Sequence, residues 1–265
     1  VVQIGKLGDM ILTTPLFRKL KNIFPQAQLN VLASPSNSII AENDQYIDKV
    51  FVYTKRPLKD LKLILSDLKK SRIWIDTKPE KSDTSRMLLK IFSPALSLGY
   101  NNDEKQFDAD LSQFKSGEHA VDINLAPVKY FGKVVGNNDR RPELLISDSV
   151  KRDLQRKFIS NNSPVLLVNV SAGKIGRQIE ADISTESIIG IKNEVEINVI
   201  TICHPDDKAV VEEIYNRTGA IHYETRDILQ AANAVDASDY IITPDTSIVH
   251  ICSALNKPVT AIYPN

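Results

Sequence analysis

The sequence predicts an α/β protein of two consecutive parallel-sheet domains, 1–142 and 143–265, facing a common cleft. Three observations predict it. Short β-rich runs alternate with longer helical stretches along the whole chain, the pattern of βαβ units. The cycle begins again after a polar connection, Gly136-Asn-Asn-Asp-Arg-Arg-Pro142. The length, 265 residues, suits two domains of about 130 each. Two such sheets place their ligand site beyond the carboxyl ends of the strands.

In the first half, Val1–Ile4 reads as a strand and Met10–Phe24 as a helix, with Leu12, Leu16, Leu20 and Ile23 at helical spacing. Pro25 stops that helix. Gln28–Ala33 and Lys49–Tyr53 read as strands, Leu58–Lys70 as an amphipathic helix and Arg72–Asp76 as a fourth strand. Ser85–Phe92 is predicted helical, Ala95–Gly99 extended, and His119–Phe131 helical. In the second half the predicted helices are Ser149–Phe158, Asp206–Thr218, Ile228–Ala234 and Ser247–Leu255. The strands are Val165–Val170, Val195–Thr201, Ala220–Tyr223, Tyr240–Thr243 and Val259–Tyr263.

Composition narrows the classes. Hydrophobic residues make up 42% and charged residues 25%, as in ordinary globular proteins. No segment approaches the roughly 20 apolar residues of a membrane span. The opening lacks the basic region and apolar core of a signal peptide, so a cytoplasmic protein is expected. The chain opens without Met and stops directly after a strand that should carry a covering helix, so residues are expected beyond both ends. Cys203 and Cys252 sit in separate apolar segments and read as buried free thiols, not a disulfide framework or zinc site. The net charge is zero, which gives no general attraction to nucleic acid. Residues 51–100 nevertheless carry eleven Lys/Arg against five Asp/Glu, as a face for an anionic partner would.

Three turns carry candidate chemistry. Gly5-Lys6-Leu7-Gly8-Asp9 joins a buried strand to a helix start, where free N–H groups favour anions and glycine permits close approach. Asp9 either caps the helix or offers a carboxylate base to the cleft. The spacing is not that of the dinucleotide fingerprint, and no ribose-binding acid follows the second strand. Pro244-Asp245-Thr246-Ser247 is a comparable turn, with Asp245 or Thr246 as cap and hydroxyls suited to a phosphate. His250, on the first turn of the helix that follows, is within reach of a diphosphate or is structural. The run from Asn169 through Ser171 and Lys174 to Arg177 combines small residues with two cations at a strand end, a diphosphate cradle or a simple loop. Asp108-Ala-Asp110 has the spacing of metal-dependent sugar transferases but lies in a polar connection, and His119, His204, His222 and His250 lack metal-ligand spacing; no metal is expected.

The stretch Ile4-Gly5-Lys6-Leu7-Gly8-Asp9-Met10-Ile11-Leu12-Thr13-Thr14-Pro15-Leu16 resembles the opening of glycosyltransferase family 9, the heptosyltransferases. Phe24-Pro25, Trp74-Ile75-Asp76, Leu98-Gly99-Tyr100, His119-Ala-Val-Asp122, Asn169-Val-Ser-Ala-Gly173, Asp245-Thr246 with His250, and Lys257-Pro258 continue the resemblance in order through nearly the whole chain. It implies two Rossmann-like domains of the GT-B type and inverting, metal-independent transfer of a sugar from a nucleotide-sugar, with ADP-heptose as donor and no cofactor. Asp9 matches the catalytic acid of the family, acting as base on the acceptor hydroxyl. Ser171, Lys174, Arg177, Asp245, Thr246, Ser247 and His250 would hold the donor diphosphate, and Asp206 or Asp207 would lie near the ribose. Gly8, Thr13, Lys78, Lys81 and Arg86 would meet an anionic lipopolysaccharide-core acceptor, in loose contact with the inner membrane.

Three departures stand out. Ser247 replaces a glycine, Arg177-Gln178-Ile179-Glu180 lacks the usual Trp and Pro, and Tyr263-Pro264-Asn265 replaces Phe-Gly-Pro. They bear on the donor sugar more than on the fold. They leave two further readings: a nucleotide-sugar or glycan-binding paralogue without turnover, and another nucleotide-sugar enzyme such as an epimerase. Fold does not separate these readings.

Overall fold

The computed structural model describes residues 1–56, 68, 70–100, 105–146, 152, 156, 163–173 and 178–263. All but Leu68 and Lys70 of the expected helix Leu58–Lys70, all but Arg152 and Arg156 of Ser149–Phe158, and the candidate residues Lys174 and Arg177 lie outside the described residues. The chain divides into two compact units, Val1–Leu144 and Leu145–Asn265.

In the first unit β1 (Val2–Gln3) lies between β2 (Asn30–Ala33) and β4 (Ile73–Ile75). The pairing with β4 is a single parallel bridge, Val2 to Asp76. β3 (Lys49–Val52) pairs outside β2, while β5 (Leu96–Gly99) and β6 (Ala109–Asp110) extend the sheet beyond β4, every pairing parallel. The order is therefore β3-β2-β1-β4-β5-β6, with the direction of winding reversing between β1 and β4. Neighbours Trp74 and Ile75 enter two different apolar clusters, one with Leu88 and Phe92, the other with Leu16 and Leu98. Successive side chains point to opposite faces, so both faces of this sheet are covered.

Two expected helices are each broken in two. The run predicted as Met10–Phe24 forms α1 (Leu7–Ile11) and α2 (Thr14–Ile23), and His119–Phe131 forms α5 (Ala120–Asn124) and α6 (Ala126–Tyr130). The reason is a proline at the second position of each later helix, Pro15 and Pro127. A proline has no N–H to offer the carbonyl four residues back, and its ring crowds that carbonyl. Both freed carbonyls find a hydroxyl: Thr14 donates to Ile11 O at 2.8 Å, and Tyr100 to Ile123 O at 2.7 Å. Between them lie α3 (Ser38–Glu42) and α4 (Asp83–Phe92). Gly99 ends β5 against the Phe107 ring, which a Cβ would strike.

The second unit repeats the order. β7 (Val165–Asn169) is flanked by β8 (Asn198–Ile202) and β10 (Tyr240–Pro244), with β9 (Ile221–His222) and β11 (Val259–Ile262) at the edges. All four pairings are parallel. α7 (Ala181–Glu194), α8 (Lys208–Thr218), α9 (Ile228–Ala237) and α10 (Ser247–Leu255) connect them. α7 was not foreseen in the sequence. Ile183 and Ile189 are about half exposed, so no clean apolar stripe marks it. Cys203 and Cys252 are buried free thiols, and burial pushes them up to about 11 and about 12.

Candidate active site

The winding reversal of the first unit opens on a cavity of about 390 Å³ lined by the ends of β1 and β4 and the start of α5. Asp9, Lys55, Asp76, Lys78, Glu80 and Glu118 are its charged residues. A crevice beyond the strand ends at a reversal point is where doubly wound sheets bind ligands.

Asp9 reaches the cavity from the third residue of α1. Its Oδ2 accepts the Lys6 N–H at 2.8 Å, so it closes the helix start and still lines the cavity. The one side chain thus caps the helix and lines this first-unit cavity. Gly5 makes room for this: a Cβ there would meet the Asp9 carboxylate and the Gln3 amide.

Asp76 follows β4 and is 3% exposed. Its Oδ1 accepts the Lys78 N–H at 3.0 Å and its Oδ2 accepts the Ser85 hydroxyl. Burial raises its pKa above the carboxylate range, while Ser85 and the Lys78 amide pull it down. It fixes the turn that brings Lys78 to the cavity. Lys55 lines the same cavity with φ at 64°, a left-handed backbone rare for a side-chain-bearing residue.

The remaining first-unit candidates separate. Thr13 is fully buried: its hydroxyl donates to Asp9 O at 2.7 Å and accepts from Gln3 and Asn124. That corrects its expected role as an acceptor contact, because no face of it is open. Gly8 lies within α1, where its carbonyl accepts the Leu12 N–H, and it does not line the cavity. Lys81 and Arg86 are likewise outside the lining, Arg86 lying 3.8 Å from Asp83 on α4. Asp108 accepts the Ser97 N–H and hydroxyl, which hold its carboxyl below the usual range, and Asp110 caps the short turn at Ser112.

In the second unit the reversal lies between β7 and β10. Ser171 follows β7, donates to Asp207 and accepts the His204 N–H at 2.7 Å. It therefore binds the end of β7 to the turn after β8. Asp207 is the acid engaged there; Asp206 points away, 87% exposed and 3.2 Å from His204 Nδ1. Thr246, not Asp245, caps α10 by accepting the Ile248 N–H at 3.2 Å, with Ser247 and His250 on the turn that follows. Asp245 stands one residue before the cap, its N–H given to Ile262 O.

Comparison with known proteins now decides the family. The model of glycosyltransferase family 9 (heptosyltransferase) matches residues 88–265. The chain belongs to glycosyltransferase family 9. A provisionally named glycosyltransferase of Haemophilus influenzae is 23% identical across 100% of this chain and 82% of its own. Among solved structures, the family 9 glycosyltransferase of Veillonella parvula superposes with a TM-score of 0.79 at 14% identity, over 98% of this chain and 78% of that one. The ADP-heptose lipopolysaccharide heptosyltransferase II of Escherichia coli does so at 0.73 and 16%, over 99% and 83%. At these identities the two structures speak for the fold, which is of the heptosyltransferase GT-B class.

As a family 9 glycosyltransferase the protein holds its Asp9 loop with residues that the sequence reading passed over: Gln3, Asn37 and Asn124. Asn37 Nδ2 donates to the carbonyls of Gln3 and Gly5 at 2.9 and 3.1 Å, and Asn124 Nδ2 to Leu12 O at 3.0 Å. The available signal was a glutamine inside an otherwise apolar strand.

Proposed function

We propose that this glycosyltransferase transfers heptose from ADP-heptose to a lipopolysaccharide-core sugar, with inversion and without a metal or other cofactor. The observation that carries the reading is Asp9, a carboxylate held at a helix start on the wall of a polar cavity. The acceptor hydroxyl attacks the anomeric carbon and forms the new C–O bond. Its proton passes to Asp9, and the electron pair of the broken bond leaves with the ADP phosphate. Lys55 and Lys78 supply positive charge to an anionic acceptor in the same cavity. Thr246, Ser247 and His250 at the α10 start receive the diphosphate, with Ser171, Lys174 and Arg177 as further donor-binding residues in this reading. In this reading Asp108 and Asp110 are structural, each accepting from a serine, Ser97 and Ser112. The likeness to the ADP-heptose lipopolysaccharide heptosyltransferase II of Escherichia coli supports ADP-heptose and lipopolysaccharide as its substrates. No helix among the described residues is long and apolar enough to cross a membrane. In this reading the glycolipid acceptor is met from the cytoplasmic face by peripheral contact.

Calorimetry with ADP, UDP, GDP and CMP, followed by ADP release from ADP-heptose, tests the reading on wild type and Asp9→Asn. ADP-selective binding that survives the substitution, with transfer lost, is the expected result. Preference for another nucleotide overturns the donor, and transfer by Asp9→Asn overturns the base.

A further inference from the structure

Gln3 is 8% exposed at the carboxyl end of the central strand β1, and every polar atom of its side chain is engaged. Its Oε1 accepts the Gly5 N–H at 3.2 Å. Its Nε2 donates to Thr13 Oγ1 at 3.0 Å and to Thr77 Oγ1 at 2.9 Å. The direction of these bonds is determined. Thr13 gives its proton to Asp9 O and Thr77 gives its own to Val2 O at 3.0 Å. Both hydroxyls can then only accept, so the amide nitrogen faces them and the amide oxygen faces Gly5. The network joins the cavity's two walls, the Gly5–Asp9 turn and the end of β4. It also grips α1 at Asp9's own carbonyl.

We propose that Gln3 is the positioning residue for Asp9, orienting it by a proton-ordered relay through Thr13. The proposal rests on the reading of Asp9 as base. A glutamate at this position has the same shape but no second donor. When ionised, it would draw the Thr13 proton to itself and release Asp9 O. When protonated, it regains one donor. Burial raises the pKa of such a carboxyl, so lowering the pH restores the protonated form.

The test compares wild type, Gln3→Glu, Gln3→Met and Asp9→Asn as full chains. Two quantities are read: ADP release from ADP-heptose with a deacylated lipopolysaccharide core, and hydrogen exchange at the Lys6 amide, which needs no substrate. Both Gln3 variants should exchange Lys6 faster and lose about tenfold to 100-fold in kcat, the scale of a misplaced catalytic group, with donor KM unchanged. Gln3→Glu should recover part of its kcat relative to wild type as pH falls from about 8 to about 6, and Gln3→Met should not. Wild-type Lys6 protection in both variants overturns the proposal, as does a loss confined to KM. Where the Gln3 variants fail to fold, Thr77→Val removes one acceptor from Gln3 and one donor to Val2 O, and carries the same exchange and kcat expectations. Full activity of Asp9→Asn would sink the base reading instead. If wild type itself releases no ADP from this substrate pair, the exchange result alone decides whether Gln3 orders the Asp9 turn.

Discussion

The two units solve the same problem with one device. In each, the last residue of the first strand is an amide, Gln3 in β1 and Asn169 in β7. In each, the amide oxygen accepts the N–H two residues on, Gly5 at 3.2 Å and Ser171 at 3.3 Å. In each, the amide nitrogen crosses the reversal point to a threonine, Thr77 or Thr243, at 2.9 Å. The difference is one methylene. Gln3 reaches further, to Thr13, and through it to the carbonyl of Asp9. Asn169 turns its remaining proton to Ser171 O, and Thr243 lies 3.3 Å from Thr246, the cap of α10. One amide thus serves a candidate base and the other a candidate phosphate cradle. Doubly wound sheets leave their reversal point open at the strand ends, and a buried amide can close it while satisfying its neighbours' backbone.

The comparison can be broken most directly at Asp9. Asp9→Asn keeps an acceptor for the Lys6 N–H but cannot take a proton, so a rate loss of about 100-fold to 10,000-fold in ADP release is expected, with the unfolding midpoint unchanged. Next come the two cores. Leu98→Ala and Leu167→Ala, each 0% exposed, should each cost about 2–5 kcal/mol in denaturant unfolding, one in each unit. A far smaller loss for either would mean that its sheet is packed more loosely than its burial implies.

Asn169→Asp sharpens the contrast with Gln3. It removes the donor to Thr243 on the donor side, so donor KM should rise several-fold while kcat holds; a kcat loss like that of the Gln3 variants would erase the distinction between the units. Thr246→Ala removes the α10 cap, which should cost about 1 kcal/mol of stability and weaken ADP binding measured by calorimetry.

The smallest effect lies in the first unit alone. Burial raises Asp44 from 3.8 to about 6, with Glu143 adding to the rise and the Tyr46 amide opposing it. The folded state holds this proton more tightly than the unfolded chain. Stability therefore falls as pH rises from about 4 to about 6 and stays lower above that. Asp44→Asn keeps an acceptor for Tyr46 and should raise the thermal midpoint at pH 7, with the gain gone at pH 4; an equal gain at both pH values would rule out the titration.

Much of this was legible in the sequence. The alternation of runs predicted both parallel sheets, and the turns Gly5–Asp9 and Pro244–Ser247 fell at strand ends because glycine, Asp and Thr mark those places chemically. The buried thiols followed from residue type, while the cap of α10 was narrowed to Asp245 or Thr246 and only the structure chose Thr246. The helix breaks were legible in principle, since Pro15 and Pro127 stand in plain view, but the apolar period runs through them and hid them. α7 was missed because its isoleucines are divided between core and solvent.

The order of elements and the kinds of groups at their ends follow from local spacing and side-chain chemistry, and so were readable from the residues. Which of those groups meet depends on the folded chain. Thr13 faces inward, Asp76 comes to the cavity of Asp9, Asp207 and not Asp206 accepts from Ser171, and Gln3 bonds to Thr77 across 74 residues. Those pairings depend on strand order, and strand order is set by how the whole sheet buries its two faces.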